Sequence, residues 1–171
     1  PHRCARLAVV TERFVVVPAA YVYLLRDGAH GTEVLLQLRQ GTGYMDGHWA
    51  AAAAGHVERG ESVLDAAHRE AAEELGVRDV DLVFEQVMHR TQHALPIDER
   101  VDFFFTARSW TGEPRVMEAN RSAGLRWCRL DALDSLPEPV VTHERYALTS
   151  LGTGTTYLTH GFDDHHRGAS A

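Results

Sequence analysis

The sequence predicts a single α/β domain, and three observations carry that prediction. The chain has 171 residues, enough to bury one substantial core and short for two. Segments rich in Val, Tyr, Leu and Phe recur along it, bounded by Gly, Asp or Pro. Between them lies one sharply delimited helical stretch, opened by Ser62 and closed by Gly76.

Residues 1 to 12 lack periodicity and read as an N-terminal arm, with the domain spanning 13 to 152. Phe14 to Leu25 reads as a strand buried on both faces, because its apolar run does not alternate. Asp27-Gly28 marks a turn through to Gly31, and Glu33 to Arg39 then makes an antiparallel partner strand. Gln40 to Gly47 holds three glycines and reads as a loop, with Asp46-Gly47 a turn. Trp49 to Ala54 is a small-residue stretch with room for a strand.

Ser62 is a good N-cap with Asp65 as its capping-box partner, so a helix runs from there to about Leu75, and Gly76 takes the C′ position. Val80 to Met88, Val101 to Ala107 and Leu125 to Leu130 read as further strands. Pro137 and Pro139 mark a loop, and Val141 to Leu151 forms a closing helix. Residues 153 to 171 read as a partly disordered tail, the last ten as disordered.

A formal charge of −7 argues against a polynucleotide partner. All 17 basic residues are arginine. No apolar run approaches the roughly 18 residues that cross a bilayer, so no membrane partner and a cytoplasmic location are expected. Cys4 and Cys128 are far apart and form no metal-binding pair, so both read as plain thiols.

The chemistry concentrates in the helix. Glu70, Glu73 and Glu74 stand at i, i+3 and i+4 and project from one face. Like charges at that spacing repel, and they sit where the helix dipole already disfavours anions. A solvated acidic face is the plain explanation for such a triplet. A hard divalent cation, Mg²⁺ or Mn²⁺, is the chemical one, since it takes carboxylate oxygens together with substrate phosphates. The wider spacing decides between them: Gly55 precedes Glu61 by six positions, Glu61 precedes Arg69 by eight, and Gly76 follows Glu74 by two.

Gly55, Glu61, Arg69, Glu70, Glu73, Glu74 and Gly76 match every fixed position of G-x5-E-x7-R-E-U-x-E-E-x-G-U, where U is a bulky aliphatic. The chain thus resembles the MutT/Nudix hydrolases. Ala71 departs from the bulky U position, and Ala50 to Ala54 are unusual as a lead-in. The resemblance implies an α/β/α sandwich with a mixed β-sheet, the motif forming a loop-helix-loop. It also implies that Glu70, Glu73, Glu74 and the Gly55 carbonyl bind Mg²⁺, while Glu61 and Arg69 pair to brace the loop and Gly76 ends the helix. The general base is then Glu70 or an acidic residue elsewhere, with Glu118 favoured over Asp98 and Glu99. Trp49, Tyr44 and His56, with His48 and His89, are candidates for binding the substrate; core packing competes for Trp49.

The implied activity is hydrolysis of a diphosphate linkage in a nucleoside diphosphate derivative or nucleoside triphosphate. The products would be a nucleoside monophosphate and pyrophosphate or a phosphorylated fragment. The partner is thus a small nucleotide-like molecule, and because many relatives dimerise a homodimer is a further implication. Two other readings stand beside it: an isopentenyl-diphosphate-isomerase-like enzyme and a nucleotide-binding module without catalysis. The intact motif argues against both, and neither Cys4 nor Cys128 is placed as the isomerase reading requires.

Overall fold

Strand β1 (Val17–Gly28) is the axis around which the rest assembles. The computed structural model describes residues 13–162. Alternate β1 residues feed two cores. Ala19, Tyr21, Tyr23 and Leu25 join one hydrophobic cluster, and Ala20, Val22 and Leu24 join another on the opposite face. A strand buried on both faces needs an unbroken apolar run, which is what the sequence shows. The run begins later than its apolar residues suggest. Phe14 and Val15 are 72% and 69% exposed and precede the strand.

β2 (Gly31–Arg39) folds back antiparallel on the C-terminal half of β1, with Leu25 opposite Val34. The stretch read as one strand from Trp49 to Ala54 is two: β3 (Trp49–Ala51) pairs with β2, and β4 (Ala53–His56) pairs with β1. The chain bends at Ala52 and changes partner there. Helix α1 (Val63–Leu75) follows, then β5 (Leu82–Arg90), β6 (Arg100–Ala107) and β7 (Ser122–Arg129). Short 3₁₀ turns occupy Pro96–Asp98 and Leu130–Ser135, and helix α2 (Thr142–Thr149) comes after the second. A last strand, β8 (Tyr157–His160), lies within the stretch read as tail and runs parallel to β5.

Among the described residues the eight strands make one mixed sheet, ordered β3-β2-β1-β6-β5-β8, with β4 beside β1 and β7 beside β2. β1 and β6 are parallel, while β5 and β6 are antiparallel. Ala66, Ala67, Ala71 and Leu75 of α1 pack on one face, and Ala147 and Leu148 of α2 on the other, which gives the expected α/β/α layering. No helix among the described residues is long and apolar enough to cross a membrane. The expected N-terminal arm, Cys4 and the tail beyond Phe162 lie outside the described residues.

Candidate active site

Helix α1 is fixed at both ends by local chemistry. The Asp65 amide donates to Ser62 Oγ and the Ser62 amide to Asp65 Oδ2, both at 3.1 Å, which completes the capping box. At the other end Gly76 takes φ 70° and its N–H reaches the Ala71 and Ala72 carbonyls. A side chain there would be strained, so the helix stops where glycine permits it. The helix lies against β4, and this sets the three glutamates relative to Gly55.

The three glutamates do not share one environment. Glu70 is buried; Glu74 is half-buried and accepts from the Ala54 amide at 2.8 Å; Glu73 is exposed. A Cβ on Gly55 would fall 1.9 Å from Glu70 Oε1, so any side chain there would push the carboxylate out of its place across β4. Burial raises the Glu74 carboxyl to about 7, the neighbouring Glu70 and Glu118 charges adding to it while the Ala54 amide opposes. Burial also raises Glu70, against the lowering effect of Arg69.

Arg69 ties the segment together. Its guanidinium donates to both Glu61 oxygens (2.7 and 3.2 Å), to the His56 carbonyl at 3.0 Å, to Glu70 at 2.6 Å and to Glu73 at 3.1 Å. Glu61 in turn accepts from the Glu58 amide at 2.7 Å. The planar fork of arginine suits so many acceptors in one plane.

Gly55, Glu70 and Glu74 open onto a cleft of about 610 Å³. Tyr44, His56 and Asp98 line it as well, and the Tyr44 hydroxyl accepts from Gln92 Nε2 at 2.7 Å. His56 Nε2 lies 2.7 Å from Arg100 Nη1, and burial together with that cation keeps its pKa below 6.5. Trp49 is placed otherwise: it is 6% exposed, sits in the α2-side core and donates its indole N–H to Glu138 at 3.0 Å. It is core, and the cleft lining does not include it. Nor does the lining include His48 or His89, the latter 4.7 Å from the Phe162 ring. Glu118 stands beside the cleft, paired with Arg121 at 3.2 Å, and Glu99 accepts from the Thr91 hydroxyl at 2.7 Å.

Sequence reasoning missed a second set of cleft residues: Gln37, Arg39, Arg90, Arg100, Arg121 and Glu144. One signal was present. Asp102 interrupts the otherwise apolar run of β6, and a charge in a buried strand needs partners. The structure supplies them as Arg90 and Arg100.

Carboxylates on a helix beside a glycine strand, braced by an Arg–Glu fork and facing a cleft, define the class of Nudix hydrolases. The chain belongs to the NUDIX domain family, whose model matches residues 16–151. It is similar to the MutT NUDIX hydrolase from Burkholderia pseudomallei, at 30% identity over 79% of this chain and 97% of that one, with a TM-score of 0.68. The same fold occurs in a MutT protein from Bacillus halodurans, at 22% identity over 87% and 92% of the two chains, TM-score 0.63. It also occurs in the NUDIX domain of Shewanella oneidensis NrtR, solved with ADP ribose, at 18% identity over 79% and 85%, TM-score 0.64. No curated protein matches the chain.

Among the described residues no three His, Cys, Asp or Glu side chains converge to hold a metal in this arrangement, since Arg69 draws Glu70 and Glu73 to itself. The donor chemistry nonetheless suits a hard divalent cation. Glu70 and Glu74 present carboxylate oxygens whose ionised form burial disfavours, and a cation beside them would reverse that.

Proposed function

We propose that this Nudix hydrolase cleaves the diphosphate linkage of a nucleoside diphosphate derivative or nucleoside triphosphate, releasing a nucleoside monophosphate, and that it needs Mg²⁺ or Mn²⁺ to do so. One observation carries the reading: two glutamates of the motif, Glu70 and Glu74, line a single cleft, with Gly55 against the first and the Ala54 amide against the second. The ADP ribose bound by the Shewanella domain, itself a nucleoside diphosphate derivative, is consistent in ligand class.

Glu70, Glu73, Glu74 and the Gly55 carbonyl would hold the metal, with Glu73 leaving Arg69 to join the others. The bound cation supplies charge neutralisation for the phosphates and a lowered pKa for water. Of the two candidate bases, Glu70 stands in the cleft, and burial raises its carboxyl above the ordinary range, which makes it the stronger base. Glu118 lies at the rim on Arg121 and contributes negative charge near Glu74. Arg69 and Glu61 hold the loop and helix in place from outside the cleft lining.

The test is product release from a panel of nucleoside triphosphates, ADP-ribose, dinucleoside polyphosphates and nucleotide sugars, with Mg²⁺ and with chelator. Metal-dependent release of a nucleoside monophosphate from any member supports the proposal. Tight nucleotide binding with no cleavage under Mg²⁺ or Mn²⁺ would replace it with a binding role.

A further inference from the structure

The α2-facing wall of the cleft holds three guanidiniums that have a single ion-paired carboxylate among them. Arg90 and Arg100 stand directly opposite each other across β5 and β6. Like charges in that position destabilise a strand pair unless something lies between them. Asp102, fully buried, does so: one oxygen accepts from Arg90 Nε and the other from Arg100 Nε, the latter at 3.2 Å. One carboxylate therefore serves two guanidiniums. The other contact of Arg100 is His56, a neutral imidazole that adds no negative charge.

Arg39, at the end of β2, adds a third guanidinium to the same cleft. Its hydrogen bonds go to neutral oxygens, the Tyr44 carbonyl at 2.9 Å and Thr42 Oγ1 at 3.1 Å. Among the described residues no carboxylate lies within ion-pair distance of it. The fields of Arg39, Arg90 and Arg100 all act on His143, which also lines the cleft, so the three converge on one region. Two acids feel the field of Arg39: Glu144, whose carboxyl burial raises to about 7, and Asp46, which is held by Thr42 and Gly43; Asp98 also lines the cleft and accepts from the Leu95 amide. Three guanidiniums with one ion-paired carboxylate, partly dried and lining a cleft, suit an anion from outside.

We propose that Arg39 and Arg100, with Arg90 behind them on Asp102, form an anion subsite that holds a phosphoryl group of the substrate, separate from the carboxylates of α1. The reading rests on the diphosphate chemistry above only in naming the anion as phosphoryl. Substrate would then be gripped from two sides, by guanidiniums on the sheet and through the cation on the helix. Arg100 is a binding residue in this scheme and Arg90 a positioning one.

The test is calorimetric titration of ADP and of adenosine into wild type, Arg100→Gln, Arg100→Lys and Arg39→Gln, in chelator so that no metal contributes. Arg78→Gln, an exposed arginine outside the cleft, removes the same unit of charge as a control. The subsite predicts that ADP binds wild type and weakens about tenfold in Arg100→Gln and in Arg39→Gln, the loss of one charge-assisted contact. Arg100→Lys should recover part of the affinity, while Arg78→Gln and all adenosine titrations should not change. Arg100→Gln also takes one of two partners from the buried Asp102, so its melting temperature is measured alongside, and Arg39→Gln, whose bonds go to neutral oxygens, repeats the test without touching that ion pair. Equal ADP affinity across the variants, or no metal-free ADP binding by wild type, would overturn the subsite. Arginine-dependent ADP binding without turnover on the panel would instead sink the hydrolase reading and leave the subsite standing.

Discussion

At the scale of single residues, Gly55 shows how tightly the site is built. Its missing side chain is what lets Glu70 lie across β4, so Gly55→Ala must displace either the carboxylate or the strand. The carboxylate is the flexible end of its side chain and gives way more readily than the strand, so the change falls on the site rather than on the fold. We expect Gly55→Ala to fold with little change in melting temperature and to lose most of its activity; near-normal turnover would contradict the geometry. Arg69→Lys should behave similarly, because an ammonium cannot serve both Glu61 oxygens and the His56 carbonyl together. Glu144 gives a pH-dependent counterpart. Burial holds its carboxyl at about 7 against an ordinary 4.5, so between those values the folded protein keeps a proton that the unfolded chain has released. Stability from this group is therefore full below about pH 4.5 and is lost as pH rises toward 7. Melting temperatures from pH 5 to 8 should fall more steeply for wild type than for Glu144→Gln. Parallel curves would show that the carboxyl ionises normally.

At the scale of elements, α1 is an alanine helix on an alanine floor. Ala66, Ala67 and Ala71 are fully buried against Ala52, Ala53 and Ala20. Close approach of helix and sheet follows from small side chains on both, and it brings Glu70 and Glu74 within reach of β4. This also accounts for Ala71, where the family pattern has a bulky aliphatic: the space is already taken. We expect Ala71→Leu to destabilise by about 1–3 kcal/mol in chemical denaturation rather than to fill a void. A stabilised Ala71→Leu variant would show that the interface is loose. The helix ends were legible because capping is local chemistry, with Ser62, Asp65 and Gly76 each marking a terminus. The stretch from Trp49 to Ala54 was less legible. Its switch from β2 to β1 at Ala52 depends on two partner strands distant in sequence.

At the scale of the molecule, periodicity and turn residues disclosed the strands but not their order. The parallel pairing of β1 with β6 joins residues some eighty positions apart, and nothing local encodes it. β8 escaped for a related reason. A four-residue edge strand in a Gly- and Thr-rich stretch has too little pattern of its own and is defined by its pairing with β5. The candidate site divides the same way. Its acidic half lies in one contiguous motif and could be read directly, whereas Arg39, Arg90 and Arg100 come from three strands and meet only in the fold. Trp49 had two readings, and burial in the α2-side core decided between them.

The claim on which the rest depends is that Glu70 and Glu74 together hold a catalytic divalent cation. The direct measurement is Mn²⁺ titration of wild type and Glu74→Gln, followed by turnover of the best panel substrate on the same preparations. Wild type should bind Mn²⁺ saturably, and Glu74→Gln should show both weakened binding and a rate at least about a hundredfold lower. If Glu74→Gln binds Mn²⁺ and turns over as wild type does, the carboxylates of α1 are not the metal site.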